Sequence, residues 1–322
     1  MTIGRIFAAG LFAVMAMAPE LAMAQAPPQE LKIIAPAGPG GGWDGAARSI
    51  QQVLTETKAV RGVQVTNVTG AGGTIGLAQF INGAKGDPSQ LLVNGITMVG
   101  AILTNKSPVT LDQLTPLARL TGDPLVIVVP ENSPHKTMKD FLAAITADIA
   151  RVTWAGGSAG GADHILAALV TKVAGADAGK VNYIAFSGGG EALAAMLGGR
   201  VTAGVSGYGE FEGQIKAGKL RALAISSGKR LDGVDVPTLK ELGYDVEVVN
   251  WRAVMAAPGI SAEQKAQLTK LFDTMVASGE WKALLKARGW DDYYLAGEPF
   301  AAFLREEQVR VGDILRTIGL VK

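Results

Sequence analysis

Glycine-rich loops are the parts of this sequence best suited to contact a ligand. There are four of them, at residues 38–44, 70–73, 156–161 and 187–190, and each follows a β-type run and precedes an apolar helical pattern. Such a loop ends at a helix N-terminus, where free backbone N–H groups and the helix dipole favour an anion. Glycine also lets a ligand approach the backbone closely. The loops therefore predict capture of an anion by main-chain groups.

A serine motif supports a competing, enzymatic interpretation. Residues 156–160 read GGSAG, which fits the G-x-S-x-G elbow of a hydrolase nucleophile at Ser158. In that fold the triad histidine comes late in the chain, whereas the only histidines here are His135 and His164. His164 could instead donate a hydrogen bond to a carboxylate, or be an ordinary helix histidine. Two histidines without any cysteine argue against a zinc site.

Other polar residues leave two interpretations open. Trp43 stands where a G-x-G-x-x-G nucleotide motif needs its third glycine, and no loop carries a Walker lysine. Asp44 and Arg48, at positions i and i+4, predict an ion pair within a helix, although Asp44 can also cap N–H groups there. Trp251 beside Arg252 could form an apolar wall and a bidentate carboxylate partner, or a core tryptophan with a solvated arginine.

The loops need a framework of alternating strands and helices. This alternation predicts an α/β fold with mostly parallel sheets, in which ligands bind beyond the carboxyl ends of the strands. Two loops fall in the first third of the chain and two in the middle. If those regions are separate lobes, the loops face each other across a cleft.

The C-terminal part is more helical. Ser261 with Gln264 forms a capping-box pattern, and a buried helical stripe is expected at Leu268, Leu271, Phe272 and Met275. We expect these helices to brace a lobe rather than touch the ligand.

The N-terminus has the pattern of a secretory signal. Arg5 precedes an apolar run at residues 6–18, and Ala22 and Ala24 flank Met23 in a cleavage pattern. We therefore predict a signal peptide over residues 1–24 and a soluble mature protein in the periplasm, since no later segment is both long and charge-free enough to span a membrane.

Composition excludes several functions. The chain has no cysteine, so disulfides, a catalytic thiol and a lipid-anchored cysteine are absent. Its 30 basic and 29 acidic residues are interspersed and give a net charge of +1, which leaves no broad surface for nucleic acid or anionic lipid. Any anion must therefore be held locally.

Several motifs, taken jointly, resemble those of one transport family. They are residues 36–44 (PAGPGGGWD), 67–73 (NVTGAGG), 186–190 (FSGGG), 198–200 (GGR), 220–224 (LRALA), 237–239 (PTL) and 250–252 (NWR). Over the whole mature length the sequence resembles the substrate-binding proteins of tripartite tricarboxylate transporters, also called Bug or TctC-type receptors. Many relatives have a proline and smaller residues where this chain has Gly-Gly-Gly-Trp, a departure that resembles the citrate-receptor branch.

The resemblance implies an α/β, two-lobed periplasmic-binding-protein fold of the type II-like, Venus-flytrap kind, with two crossover strands. Lobe I would comprise residues 25–124 plus 250–322 and lobe II residues 125–249, with hinges near residues 123–125 and near Asn250. In the family, backbone N–H groups of the first glycine loop bind a ligand carboxylate. The ligand-binding residues so implied are Gly40, Gly41, Gly42, Trp43, Thr69, Gly70, Ala71, Gly72, Gly73, Ser158, Ala159, His164, Ser187, Gly188, Ser206 and Tyr208. To these we add the polar candidates Asp44, Trp251 and Arg252 from the residues themselves.

The function that follows is binding without chemistry. The resemblance implies a monomeric receptor, with no metal or cofactor, that passes a small organic carboxylate to the membrane subunits of a tripartite tricarboxylate-type transporter. Citrate-like acids are the first choice, followed by C4 dicarboxylates and by aromatic carboxylates, since Trp43 and Trp251 could stack on a ring. A binding protein that feeds a sensor kinase and a secreted hydrolase using Ser158 are the alternatives.

Overall fold

The computed structural model describes residue 1, residues 28–186 and residues 189–322. The predicted signal peptide from residue 2 onward, and the predicted ligand-binding residues Ser187 and Gly188, lie outside the described residues. Within the described ranges, none of the helices has the length and apolar character needed to cross a bilayer.

Ten strands and ten α-helices lie along the described chain, and they alternate as far as β8. The strands are β1 Glu30–Ala35, β2 Gly62–Asn67, β3 Gln90–Gly95, β4 Thr115–Pro130, β5 Thr153–Gly156, β6 Asn182–Ala185, β7 Ala203–Gly207, β8 Leu220–Ile225, β9 Val249–Ala256 and β10 Asp291–Ala296. The helices are α1 Gly42–Glu56, α2 Thr74–Gly83, α3 Ile96–Thr104, α4 Met138–Ala147, α5 Ala162–Val173, α6 Gly189–Leu197, α7 Tyr208–Lys216, α8 Ala262–Ala277, α9 Gly279–Arg288 and α10 Gly297–Thr317.

The predicted repeats of strand, glycine loop and helix are confirmed. They are β1 with α1, β2 with α2, β5 with α5, and β6 with α6. β1 pairs in parallel with β2 and β3, and β5 pairs in parallel with β6 and β7. Alternation explains how β1 packs, because Leu31, Ile33 and Ala35 are buried while Glu30 and Lys32 face outward. The carboxyl ends of these parallel strands lead into the glycine loops.

The long strand β4 connects the two halves of the sheet. The strands follow the order β2-β1-β3-β9-β4-β7-β5-β6, and β10 and β8 also pair with β4. Up to Pro124, β4 pairs with β9, and from Leu125 onward it pairs with β7. This arrangement is the predicted two-lobed α/β fold, with β4 and β9 as its crossover strands. The change of partner falls within the predicted hinge at residues 123–125, whereas the lobe boundaries stay a prediction.

The C-terminal helices pack as the sequence pattern indicates. Ser261 and Gln264 form the predicted capping box at the start of α8. The predicted stripe of Leu268, Leu271, Phe272 and Met275 is buried. Beyond α10, the backbone at residues 318–319 packs against Gly179, which lies between α5 and β6 in the other half of the fold. The end of the chain therefore braces the fold across both halves.

Candidate ligand-binding site

A cavity of about 550 Å³ lies among the glycine loops of both halves. Its volume is within the range of about 300–1,000 Å³ that is usual for small-molecule sites. The structure brings together loops that are far apart in sequence, and the following predicted site residues line the cavity: Gly41, Gly42, Trp43, Thr69, Gly70, Ala71, Gly72, Gly73, Ser158, Ala159, Ser206 and Arg252.

Five predicted residues do not line this cavity, namely Gly40, Asp44, His164, Tyr208 and Trp251. Trp251 is buried in the core, where its Nε1 donates to Glu307 at 2.9 Å. Tyr208 is buried in a second apolar cluster together with Phe211. The sequence allowed Trp251 to be either a wall of the cavity or a core residue, and the structure places its indole in the core.

A buried carboxylate holds the first glycine loop. Asp44 accepts hydrogen bonds from Gly40 N–H at 2.9 Å, Asn67 Nδ2 at 2.9 Å and Arg48 Nε at 3.0 Å. The predicted i,i+4 ion pair with Arg48 is thus present. Burial alone would raise the pKa of the Asp44 carboxyl, but these hydrogen bonds outweigh burial and lower it. The Gly40 N–H is therefore engaged within the protein rather than directed at the cavity.

The start of α1 leaves amides available to a ligand. Gly41, the N-cap, is extended (φ −74°, ψ 166°), and no side chain caps this helix end. Since the first N–H groups of a helix have no partner inside it, the amides of Gly42 and Trp43 stand at the cavity with the positive end of the helix dipole. This arrangement can bind a carboxylate without a charged side chain.

Arg252 lies against the same loop. A Cβ on Gly42 would come 2.5 Å from Arg252 Nη2, so glycine is what allows this approach. Arg252 is 3 % exposed, and its Nη2 donates to Asp123 at 2.6 Å. Burial raises the pKa of Asp123, and the guanidinium opposes that effect. The pair joins the two crossover strands, and Arg252 Nη1 has no hydrogen-bond partner among the described residues.

The third glycine loop, before α5, differs because the protein already uses most of its amides. Gly157 N–H donates to Asp163 at 2.7 Å, Gly160 N–H donates to His164 Nδ1 at 3.2 Å, and Ala162 N–H donates to Thr97 at 3.4 Å. These three amides are therefore engaged within the protein, as the Gly40 amide is in the first loop.

His164 has an internal role in this loop. It is buried and stacks on Tyr183 with ring centroids 4.1 Å apart. Burial lowers its pKa to about 4, so the ring is neutral at neutral pH. Because Nδ1 accepts from Gly160 and Nε2 has no partner in the described residues, His164 forms no hydrogen bond with Ser158. The nucleophile-to-base contact of a serine hydrolase is not present here.

The two walls of the cavity touch beside it. A Cβ on Gly100, in α3, would lie 1.9 Å from the carbonyl oxygen of Gly160. Thr97, also in α3, reaches Ala162 N–H. The conformation described is thus closed along this side, with two glycines permitting the backbones to approach.

Several cavity residues escaped prediction from the sequence, among them Thr97, Asp163, Glu191, Glu210 and Asn250. Asp163, Glu191 and Glu210 each stand in the first turn of a helix. An acidic residue in the first turn of a helix that follows a strand is the sequence pattern from which they could have been predicted. The described part of the chain contains no group of three or more histidine, aspartate or glutamate side chains placed to hold a metal ion.

Two α/β halves joined by two crossover strands, with a cavity between their glycine loops, define a solute-binding receptor of the periplasmic-binding-protein class. Residues 46–320 match the family described as the tripartite tricarboxylate transporter family receptor, TctC. The chain belongs to this family, as its motifs predicted, and the family consists of solute-binding receptors rather than enzymes.

Individual relatives agree with this assignment. Protein BugT of Bordetella pertussis is 29% identical over 298 residues, which cover 91% of this chain and 90% of BugT. A TctC solute-binding protein from Polaromonas, solved without ligand, is 28% identical to this chain and superimposes with a TM-score of 0.67. The match covers 89% of this chain and 98% of the Polaromonas chain. MatC from Rhodopseudomonas palustris, solved with bound malate, shares the fold at 24% identity with a TM-score of 0.77, over 89% of this chain and 98% of MatC.

Proposed function

We propose that the protein is a periplasmic receptor that captures a di- or tricarboxylate in this cavity and delivers it to the membrane subunits of a tripartite tricarboxylate-type transporter. Citrate-like acids are the first candidates, and the protein performs no chemistry on them. Membership of the receptor family supports the transport role. The malate bound to MatC supports the idea that this fold accommodates a dicarboxylate.

One observation carries the proposal: α1 presents uncapped amides to the cavity. Arg252 is the only lysine, arginine or histidine among the described residues that line the cavity, and Asp123 already neutralises it. Attraction for an anion therefore rests on Gly42 and Trp43 N–H, supported by the unpartnered Nη1 of Arg252. Where closure around a ligand excludes water, these dipoles act more strongly on a charge than they would in solvent.

Closure completes the proposed mechanism. Lobe I, residues 25–124 plus 250–322, and lobe II, residues 125–249, would move about hinges near residues 123–125 and Asn250. The cleaved signal peptide would deliver the protein to the periplasm. Ligand in the cavity would then hold the closed form, since binding to one conformation shifts the population toward it.

A pair of variants at Gly42 tests the role of the amides. Gly42 is the first residue of α1, a position that favours proline, and Gly41 already has the extended conformation that precedes proline. Gly42→Pro therefore removes one N–H group while keeping the helix start. Gly42→Ala is the matched control, because it adds the same Cβ beside Arg252 and keeps the N–H group.

Calorimetric titration of both variants with citrate, malate and succinate gives the result. We expect Gly42→Pro to bind the best of these acids roughly tenfold or more weakly than Gly42→Ala, the effect of losing a hydrogen bond to a charged group. Equal affinity of the two variants would contradict the proposed role of the amide. If wild type binds no carboxylate, while ester hydrolysis appears and vanishes in Ser158→Ala, the receptor proposal itself fails.

A further inference from the structure

The part of the cavity wall formed by α5 and α7 carries acidic side chains. Asp163 in α5 and Glu210 in α7 both line the cavity and both stand in the first turn of their helix. A helix N-terminus favours the ionised form of such a carboxyl. Glu191, in the first turn of α6, lines the same wall.

Neither Asp163 nor Glu210 forms a direct ion pair in the described part of the chain, although the charge of Arg252 lowers the pKa of both. Asp163 accepts from Gly157 N–H at 2.7 Å, and Glu210 accepts from Ser206 Oγ at 2.9 Å. Arg252, the one cationic side chain that the described residues place at the cavity, is paired with Asp123. When ionised, two such carboxyls would repel a simple anion.

The electrostatics agree with the geometry. Burial is the largest effect on the pKa of Asp163, which is raised to about 7. The carboxyls of Glu210 and Asp123 also raise this pKa, while the Gly157 hydrogen bond and the charge of Arg252 lower it. Burial also raises the pKa of Glu210, with Asp123 contributing and the charge of Arg252 opposing. A negative charge on this wall is therefore unfavourable in the empty protein, and a cationic group would relieve it.

A separate observation indicates how a ligand would be oriented. Arg252 is 3 % exposed, lines the cavity, and has Nη1 without a hydrogen-bond partner among the described residues. Together with the amides of Gly42 and Trp43, it provides a positive end to the cavity. Asp163 and Glu210 place two carboxyls within electrostatic range of Arg252.

We propose that Asp163 and Glu210 form a subsite for a protonated amino group, so that the ligand is an amino-substituted carboxylate rather than a simple carboxylic acid. The inference rests on the proposed function, because it assumes that the carboxylate lies at the first glycine loop. A metal ion is the less favoured cation, since the described residues contain no group of three or more metal-ligating side chains.

Matched ligand pairs test this subsite. Wild-type protein is titrated at pH 7.5 with aspartate and succinate, glutamate and glutarate, and 4-aminobutyrate and butyrate. The same titrations use Asp163→Asn and Glu210→Gln, which keep an oxygen to accept from Gly157 and Ser206. The control is Glu212→Gln, which removes a charge from α7 at a residue that does not line the cavity and pairs with Lys216.

The amino member should bind more tightly than its partner in at least one pair. Asp163→Asn and Glu210→Gln should each weaken it roughly thirtyfold or more, as expected when one side of a buried charge pair is removed. The amino-free acid should bind these variants as well as or better than wild type, and Glu212→Gln should change neither.

Two results overturn the inference while leaving the proposed function intact. One is tighter binding of the amino-free acid in every pair that binds. The other is an equal loss of affinity for both members of a pair in the two variants. Failure of all six compounds and of citrate to bind would overturn the proposed function, and this inference with it.

Discussion

Gly100→Ala should separate folding of the protein from closure around its ligand. Gly100 is buried within α3 and has ordinary helical geometry, so alanine suits its own helix. Alanine raises the stability of a helix interior by about 0.5–1 kcal/mol relative to glycine. The substitution therefore harms only the contact with Gly160, where the two walls of the cavity meet.

The size of the effect follows from that contact. The new Cβ would lie 1.9 Å from Gly160 O, whereas real Cβ atoms essentially never come within 3.0 Å of such an atom. The backbones must therefore move apart by about 1 Å. Overpacking of this kind costs roughly 1–3 kcal/mol, which corresponds to a loss of about 5- to 150-fold in affinity for a ligand that binds the closed form.

Calorimetric titration with the tightest carboxylate measures this loss, and urea denaturation of the ligand-free protein measures the free energy of unfolding. Gly83→Ala is the control, because Gly83 ends α2 and a Cβ there meets nothing within 4 Å. We expect weaker binding with undiminished stability for Gly100→Ala, and neither loss for Gly83→Ala. Wild-type affinity in Gly100→Ala would refute the idea that ligand binding requires this contact.

Three further predictions concern buried charges. Arg252→Met should lower the free energy of unfolding by about 3–5 kcal/mol in urea denaturation, since Asp123 is left buried without its partner. Adding Asp123→Leu should recover part of the lost stability. No recovery in the double variant would contradict the pairing. Asp163 has its pKa raised to about 7, so its contribution to stability is present below about pH 4 and lost as pH rises through 7. In urea denaturation, Asp163→Asn should thus have a free energy of unfolding up to about 4 kcal/mol above that of wild type at pH 8, and no such gain at pH 4. Burial lowers the pKa of His164 to about 4, so its contribution to stability is present above about pH 6.5 and is lost as pH falls toward 4. His164→Gln should therefore flatten the plot of melting temperature against pH over this range. An unchanged slope would count against a buried neutral ring.

Local patterns made much of the fold predictable. The succession of strand, glycine loop and helix depends on short stretches of sequence. The positions of β1 with α1 and of β5 with α5 could therefore be predicted to within a few residues. The capping box at Ser261 and the stripe that includes Phe272 follow from spacing alone. These features depend on neighbours three or four positions away, which a sequence displays directly.

The rest of the site depends on contacts that sequence spacing does not reveal. Asp123 and Arg252 are 129 positions apart, and only the pairing of β4 with β9 brings them together. The sequence also could not tell which amides were free, because Gly40 and Gly160 are bonded to side chains whose direction depends on packing. His164, expected at the cleft, stacks on Tyr183 instead.

Backbone amide NMR of the protein during titration with citrate and with the amino-substituted acids tests the central claim most directly. The account predicts that the amide signals of Gly42 and Trp43 shift in a saturable way with whichever carboxylate binds, while the Gly40 amide, bonded to Asp44, shifts less. Saturable binding that leaves the Gly42 and Trp43 amides unmoved would show that the carboxylate is held elsewhere, and would contradict the account.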